Sequence, residues 1–428
     1  MLLIRGGRVY GTSSQTADIL VVGDRVARIS EEIPETGEMT VVDVTGFIVA
    51  PGLVDMHVHF RDPGFQDKED ILSGASAAAA GGVTTCCCMP NTSPVVDNAE
   101  VVRYVAEKAK KAPVRVLTYG AVTMGQKGRE LADFSKLISA GAIAMSDDGN
   151  PVQSAELMHR AMLLAHECGI VLISHCEDAE MAENHAVNEG AVSRALGLPG
   201  RPAIAEEIMV TRDAMLAAAT GAKLHIAHVS TAGSVDIIRK AKAAGVAITA
   251  ETCPQYFTLT EDEVFRQGAL ARVNPPLRSE SDVQAVICGL TDGTIDAIAT
   301  DHAPHSAKEK ELPLTESPSG MIGLETSLSI TLTSLYHTGK LSIDEIVALM
   351  SVNPAQILDI DAGTLRVGDM ADIVIFNPDE EWTVDPSQLK SKSRNTPFAG
   401  MKLRGKVKYT VARGEIVYRE FGTFVPSS

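Results

Sequence analysis

The sequence predicts an α/β protein: a TIM-like (β/α)8 barrel joined to a small β-sandwich domain assembled from both ends of the chain. Three observations predict it. Between about residues 51 and 360, short β-branched runs alternate with Ala- and Leu-rich stretches of helical length, as eight strand–helix units, which is the barrel's signature. Both ends instead read as short strands separated by Gly-Asp, Gly-Glu and Gly-Gly steps, which suit hairpins. The two ends also echo each other, with Ala-Asp-Ile-Leu-Val-Val at 17–22 and Ala-Asp-Ile-Val-Ile-Phe at 371–376.

Residues 1–50 form the first part of the sandwich, with strands expected at 2–10, 17–22 and 25–29, the last two split by Gly23-Asp24. Residues 51–360 form the barrel. Its strands are expected at 52–59, 83–89, 114–121, 142–146, 171–175, 223–228, 247–252 and 295–300. Helices are expected at 70–80, 98–111, 154–168, 203–219 and 234–244. Residues 361–428 complete the sandwich with strands at 371–376, 406–412 and 416–418. The competing architecture, a doubly wound open sheet, loses ground because no Gly-x-Gly-x-x-Gly follows the first central strand.

Composition is that of a globular protein: 428 residues, 45% hydrophobic and 22% charged, enough for a large core. A formal net charge of −17 argues against a general nucleic-acid or anionic-membrane binder. It leaves room for an anionic small-molecule substrate held by local Arg and His. No apolar run is long enough to span a bilayer. The N-terminus lacks the basic segment and apolar core of a signal peptide. Seven cysteines, three of them consecutive at Cys86, Cys87 and Cys88, form neither a disulfide framework nor Cys-x-x-Cys metal spacing. They read as small strand residues in a reducing, cytoplasmic compartment.

In a barrel, chemistry gathers where the strands end. The first strand ends with His57 and His59, two apart and so on one face. The fourth ends in Ser146-Asp147-Asp148-Gly149, the fifth at His175, the sixth at His228, and the eighth in Thr300-Asp301-His302-Ala303-Pro304-His305. Any one of these has an ordinary reading: a lone strand-end His is commonly a satisfied polar residue, and Asp-Asp-Gly is commonly a turn. Four imidazoles and two carboxylates on one face of one barrel form the ligand set of one or two zinc-type ions. By alternation only one of Asp147 and Asp148 can face that site. His159, His166, His185, His225 and His337 read as structural, with His225 on the face opposite His228. His302 should point away from the metal site.

These residues carry a resemblance. Pro51-Gly52-Leu53-Val54-Asp55-Met56-His57-Val58-His59 resembles the opening motif of the amidohydrolase superfamily of metal-dependent hydrolases. Within it, the chain is similar to the class I dihydroorotase family over essentially its whole length. The matching motifs are His59-Phe60-Arg61-Asp62-Pro63-Gly64, Met89-Pro90-Asn91-Thr92, Ser146-Asp147-Asp148-Gly149, Asn274-Pro275-Pro276-Leu277-Arg278, Asp301-His302-Ala303-Pro304-His305 and Asn395-Thr396-Pro397-Phe398-Ala399-Gly400. Related hydantoinases and dihydropyrimidinases bridge their metals with a carboxylated lysine on strand four. No lysine lies within 142–150, and the resemblance assigns that place to Asp148. Asn91 favours this family over the allantoinases.

The resemblance implies reversible cyclisation of N-carbamoyl-aspartate to dihydroorotate in pyrimidine biosynthesis. It implies one or two Zn²⁺ ions, one held by His57, His59, Asp148 and Asp301 and the other by Asp148, His175 and His228. Asp301 would be the general base and acid. Arg61, Asn91 and His305 would hold the substrate carboxylate, Arg61 sharing the face of His59 if the strand continues, while Asn274, Ser319 and Gly320 would meet the ring. Many relatives carry an aromatic where Ser319 stands, which thins that contact. The resemblance further implies a homodimer and leaves open a complex with aspartate transcarbamoylase, in which a non-catalytic scaffold is the rival role. Filled ligand positions argue against that rival.

Overall fold

Eight short, buried, parallel strands make the centre of the protein. The computed structural model describes residues 1–11, 16–183 and 185–420. The barrel strands are Leu53–Val58, Val83–Cys88, Arg115–Thr118, Met145–Ser146, Val171–Ser174, Lys223–Ile226, Ile248–Thr252 and Ala297–Ile298. The first three pair as one arc, with register shifts between the first two, and the last five as another. Parallel bridges Gly120–Met145 and Val58–His302 join the arcs into a closed ring. Closure removes both sheet edges. The first two strands are buried at every position, as a sheet covered on both faces demands. That accounts for Cys86, Cys87 and Cys88, small thiols buried in the second strand and free of disulfides.

The helices begin where polar side chains can hold their first N–H groups. Asp70 accepts from Leu72 and Ser73 at the start of Ile71–Ala80. Asn98 accepts from Glu100 and Val101 before Ala99–Ala109, and Ser154 from Leu157 before Ala155–Cys168. Such caps satisfy donors that the helix itself leaves open. Gly169 and Gly221, with φ of 71° for both, end their helices in the left-handed conformation that glycine adopts without strain.

Every barrel strand is shorter than the sequence predicts, and two shrink to a pair of residues: Met145–Ser146 within 142–146, and Ala297–Ile298 within 295–300. At the eighth strand, carboxylates take places that a regular ladder would fill. Asp296 Oδ2 accepts from the Ala250 N–H at 2.8 Å. Asp55 accepts from the Thr300 N–H at 3.2 Å and the Thr300 hydroxyl at 2.6 Å. Asp55 also accepts from the His57 N–H at 3.1 Å, so one buried side chain ties strand one to the end of strand eight. Burial pushes its carboxyl up to about 6, against the pull of the Thr300 and His57 bonds.

The two chain ends form one hydrogen-bonded sheet. Its strands run, in spatial order, Glu415–Arg419, Lys402–Ala412, Ile373–Thr383, Ile48–Pro51, Leu2–Val9, Ala17–Val22 and Arg25–Ser30, with Thr40–Asp43 also on Leu2–Val9. The strand Leu2–Val9 serves two partners. Leu2–Arg5 pairs with Thr40–Asp43, whereas Arg8 and Val9 pair with Ile48 and Val49. The change happens at Gly6, whose φ of 73° permits it. The halves enclose one apolar core that includes Ile19, Val21, Val26, Ile373, Ile375 and Tyr409. This sheet docks on the barrel, where the Thr410 hydroxyl donates to the Ala79 carbonyl at 2.6 Å.

Replacing Asp55 by Ala leaves the Thr300 N–H and hydroxyl buried without their acceptor. We expect a loss of about 2–4 kcal/mol, read as a lowered midpoint in urea unfolding. A midpoint equal to the parent's would remove Asp55 from barrel closure.

Candidate active site

The barrel's strand ends bring the candidate ligands to one cavity of about 190 Å³. Its wall includes His59, Arg61, Asn91, Asp148, His175, His228, Asn274, Asp301, His305, Ser319 and Gly320. His57 lies just beneath, fully buried.

Asp148 sits at the centre. Its carboxylate lies 3.5 Å from His57 Nε2, 3.5 Å from His59 Nε2, 3.6 Å from His175 Nδ1 and 3.3 Å from His228 Nε2. Asp301 Oδ1 lies 2.9 Å from His59 Nε2 and 3.6 Å from His57 Nε2. Asp147 turns the other way and accepts from Val122 N–H at 2.8 Å and the Thr123 hydroxyl at 2.5 Å. Burial pushes its carboxyl up to about 7.

The donor set fits a divalent cation. Two overlapping groups, His57–Asp148–His228 and His57–His59–Asp301, each bring three buried ligand atoms within 4.8 Å of one another. His57 Nε2 and Asp148 Oδ1 are buried and have no hydrogen-bond partner, a costly state unless something else satisfies them. Electrostatics point the same way. Burial opposes charging His57, yet the Asp148 and Glu251 carboxylates outweigh it and raise the imidazole well above its ordinary value. The cluster draws in positive charge.

Glu251, on the seventh strand, is absent from the sequence-derived site. It is fully buried, and its Oε1 lies 2.6 Å from His57 Nδ1. Burial opposes its charge, but His57 and His225 hold it down at about 2. An anionic Glu251 accepts a hydrogen bond from His57 Nδ1–H, which keeps the ring proton there and leaves a lone pair on Nε2, the arrangement that orients metal-ligating histidines. An acid inside the apolar strand 247–252 was the available signal. His225 also departs from expectation: its Nε2 lies 3.3 Å from Glu251 Oε2, so it faces the barrel interior beneath the site. The alternation argument fails because the strand ends at Ile226 and His228 has φ of 36°.

Arg61 reaches the cavity by another route than strand alternation. The first strand ends at Val58, and Arg61 takes φ of 59°. Its Nε donates to Pro304 O at 3.3 Å, and its Nη2 lies 3.3 Å from His305 Nε2. Among the described residues, no carboxylate lies within ion-pair distance of its guanidinium. Burial followed by the charges of Arg61, Lys310 and Lys68 lowers His305 to about 2, so its imidazole is neutral. Asn91 Oδ1 lies 2.9 Å from His59 Nδ1; accepting that proton leaves the Asn91 amide NH2 as a donor.

At the opposite wall, Asn274 Nδ2 lies 3.4 Å from His175 Nε2. Arg201, also absent from the sequence-derived site, donates to Asn274 Oδ1 and, at 2.7 Å, to Glu177 Oε1. Ser319 O lies 2.8 Å from His305 Nε2, and Gly320 N–H donates to Arg272 O at 2.9 Å. His302 points away, its Nδ1 accepting from the Gly323 N–H at 3.1 Å. No helix of the described residues is long and apolar enough to cross a membrane.

Comparison with known proteins agrees with this arrangement. Residues 46–234 match the family described as dihydro-orotase-like. The dihydroorotase of Citrifermentans bemidjiense is 49% identical over 98% of this chain and 99% of its own. That of Clostridioides difficile is 48% identical over 98% of this chain and 100% of its own. Among solved structures, the L-hydantoinase (dihydropyrimidinase) of Arthrobacter aurescens superposes with a TM-score of 0.87 at 28% identity, covering 98% of this chain and 96% of that one. Such solved relatives share the barrel and the β-rich domain. With near-half identity to dihydroorotases from end to end, the chain belongs to the dihydroorotase family of metal-dependent cyclic amide hydrolases.

Proposed function

We propose that this chain interconverts dihydroorotate and N-carbamoyl-aspartate, in the direction of ring closure during pyrimidine synthesis. The observation that carries the reading is the Arg61 guanidinium, which faces the cavity with no carboxylate of its own beside a cluster of imidazoles and carboxylates. A cyclic amide bearing a carboxylate supplies what both need.

His57, His59, Asp148 and Asp301 would hold one Zn²⁺ ion, and Asp148, His175 and His228 a second. Such an ion supplies Lewis acidity, polarising an amide carbonyl and making a neighbouring water easier to deprotonate. The protein's own groups do the rest. Glu251 accepts from His57 Nδ1–H and so would direct Nε2 to the cation. Arg61, with the Asn91 amide NH2 and neutral His305, holds the substrate carboxylate; the planar guanidinium suits bidentate hydrogen bonding. Asn274 meets the polar ring edge, and Ser319 and Gly320 wall its side. In hydrolysis, an Asp301 carboxylate oxygen takes a proton from water as the water oxygen bonds to the ring carbonyl carbon. The C–N bond then breaks, and Asp301 passes that proton to the departing ring nitrogen. Ring closure runs these transfers in reverse.

A hydantoinase role is the rival. Among the described residues no lysine lines the cavity, and Asp148 occupies the centre. A homodimer is supported by the apolar stripe of helix Ile204–Thr220, where Ile204, Ile208 and Met215 are exposed.

Dihydroorotate hydrolysis, assayed with metals counted on the same sample, should be lost to a strong chelator and return with added Zn²⁺. Activity that ignores chelation would sink the metal reading. Asp301→Ala should lower kcat by about 10³-fold or more while the circular dichroism spectrum keeps its parent form; parent-like turnover would remove Asp301 from proton transfer. Arg61→Lys keeps the charge but loses the planar fork, so KM for dihydroorotate should rise about 10-fold or more at unchanged zinc content. An unchanged KM would refute the carboxylate contact.

A further inference from the structure

The segment Asn395–Gly400 lies far from the site in sequence, and none of the roles above uses it. Yet Asn395 is buried against the cavity wall with its side chain fully engaged there. Its Oδ1 accepts from the His305 N–H at 3.1 Å. Its Nδ2 donates to Ala303 O and Gly320 O, both at 3.1 Å. Its own carbonyl accepts from the Ile322 N–H at 2.9 Å. One amide thus uses its oxygen and both N–H groups to join two segments, 303–305 and 320–322. Those segments carry His305 and Gly320, with Ser319 directly before the second, and His305 Nε2 also lies 2.8 Å from Ser319 O.

Neither segment has a regular ladder to define it. Beyond Ile298 the eighth strand has ended, and Asp301 takes φ of 47°. Gly320 takes φ of 139°, where an added Cβ would stand 2.7 Å from Ala303 Cβ, so the segments are packed tightly. Asn395 is not among the residues that line the cavity; it bonds this seam from the carboxyl-terminal part of the chain.

We infer that Asn395 is a positioning residue for the carboxylate subsite, setting His305 against the Ser319–Gly320 loop from behind. The inference rests on the reading that His305 contacts the substrate carboxylate. Acting through His305, Asn395 governs substrate binding and leaves the zinc cluster and proton transfer alone.

The test uses the full-length zinc enzyme. Asn395→Asp keeps the shape but turns an oxygen toward both Ala303 O and Gly320 O; Asn395→Ser removes all three reaches. Each is assayed for KM, kcat, zinc content and Tm, alone and combined with His305→Ala. We expect KM for dihydroorotate to rise about 10-fold with kcat within about threefold and zinc unchanged, the pattern of lost substrate binding. Because Asn395 works through His305, the double variant should be no worse than His305→Ala alone by more than about twofold. An unchanged KM in both Asn395 variants, with KM raised by His305→Ala, overturns the inference alone. Multiplying effects in the double variant, or a fall in kcat and zinc content together, also overturn it. Failure of both Asn395 variants to fold assigns the residue to stability instead. A parent-like KM in His305→Ala sinks the carboxylate reading and this inference with it.

Discussion

The molecule is organised around one carboxylate, that of Asp148, with imidazole nitrogens of four histidines within 3.6 Å of it. The four come from the ends of strands one, five and six, and Asp148 itself from strand four. No local segment could assemble them. Only a closed ring of parallel strands aims these ends at one point, and closure in turn depends on the first and last strands meeting. Asp55 makes that meeting specific through Thr300, five residues or fewer from His57, His59 and Asp301 in sequence. The same two short stretches therefore close the fold and carry half of the cluster.

Burying so many ionisable groups together is unfavourable unless each has a counterpart. The protein solves this in layers. Asp148 and Asp301 face the imidazoles, and Glu251 sits beneath His57 and His225. Glu177 lies 3.7 Å from His175 Nε2 and is held by Arg201; the imidazole and guanidinium overcome its burial and hold it at about 2. Glu251 and Glu177 each lie beside a ring, His57 and His175, whose other nitrogen faces Asp148. The buried Nε2 of His57 and Oδ1 of Asp148 are left over from this pairing, and their surplus is what a divalent ion would take up.

How much of this was legible in the sequence follows from range. The barrel and the terminal sheet were legible because strand and helix periods are local, and the echo between 17–22 and 371–376 linked the ends. The histidines at strand ends were legible because a parallel barrel puts all such ends on one face. Glu251 and Arg201 were not, since their partners lie 194 and 73 residues away and nothing local marks the pairing. Arg61 was placed at the site by an alternation rule that stops applying where the strand does, and His228 by its place at the end of strand six. Their positive φ values, not the strand period, turn them inward. The same rule put His225 on the wrong face, because it counted three residues along a strand that had already ended.

The distinction between dihydroorotase and hydantoinase chemistry rests on charge more than on shape, because the solved hydantoinase shares the barrel. Burial lowers the Arg61 pKa, against the pull of Asp301 and Asp148, so the guanidinium is poorly solvated and has no carboxylate at contact distance. A neutral ring would leave it so. A ring bearing a carboxylate would complete an ion pair whose cationic half is already desolvated and oriented by Pro304. The anion then gains most where water has been excluded. The neutral state of His305 serves the same end: a second full positive charge beside Arg61 would repel it and loosen the fork that binds. On the proposed function, substrate selection would rest on one fixed cation and the neutral donors around it, set against a cluster whose own charge would be met by a metal ion.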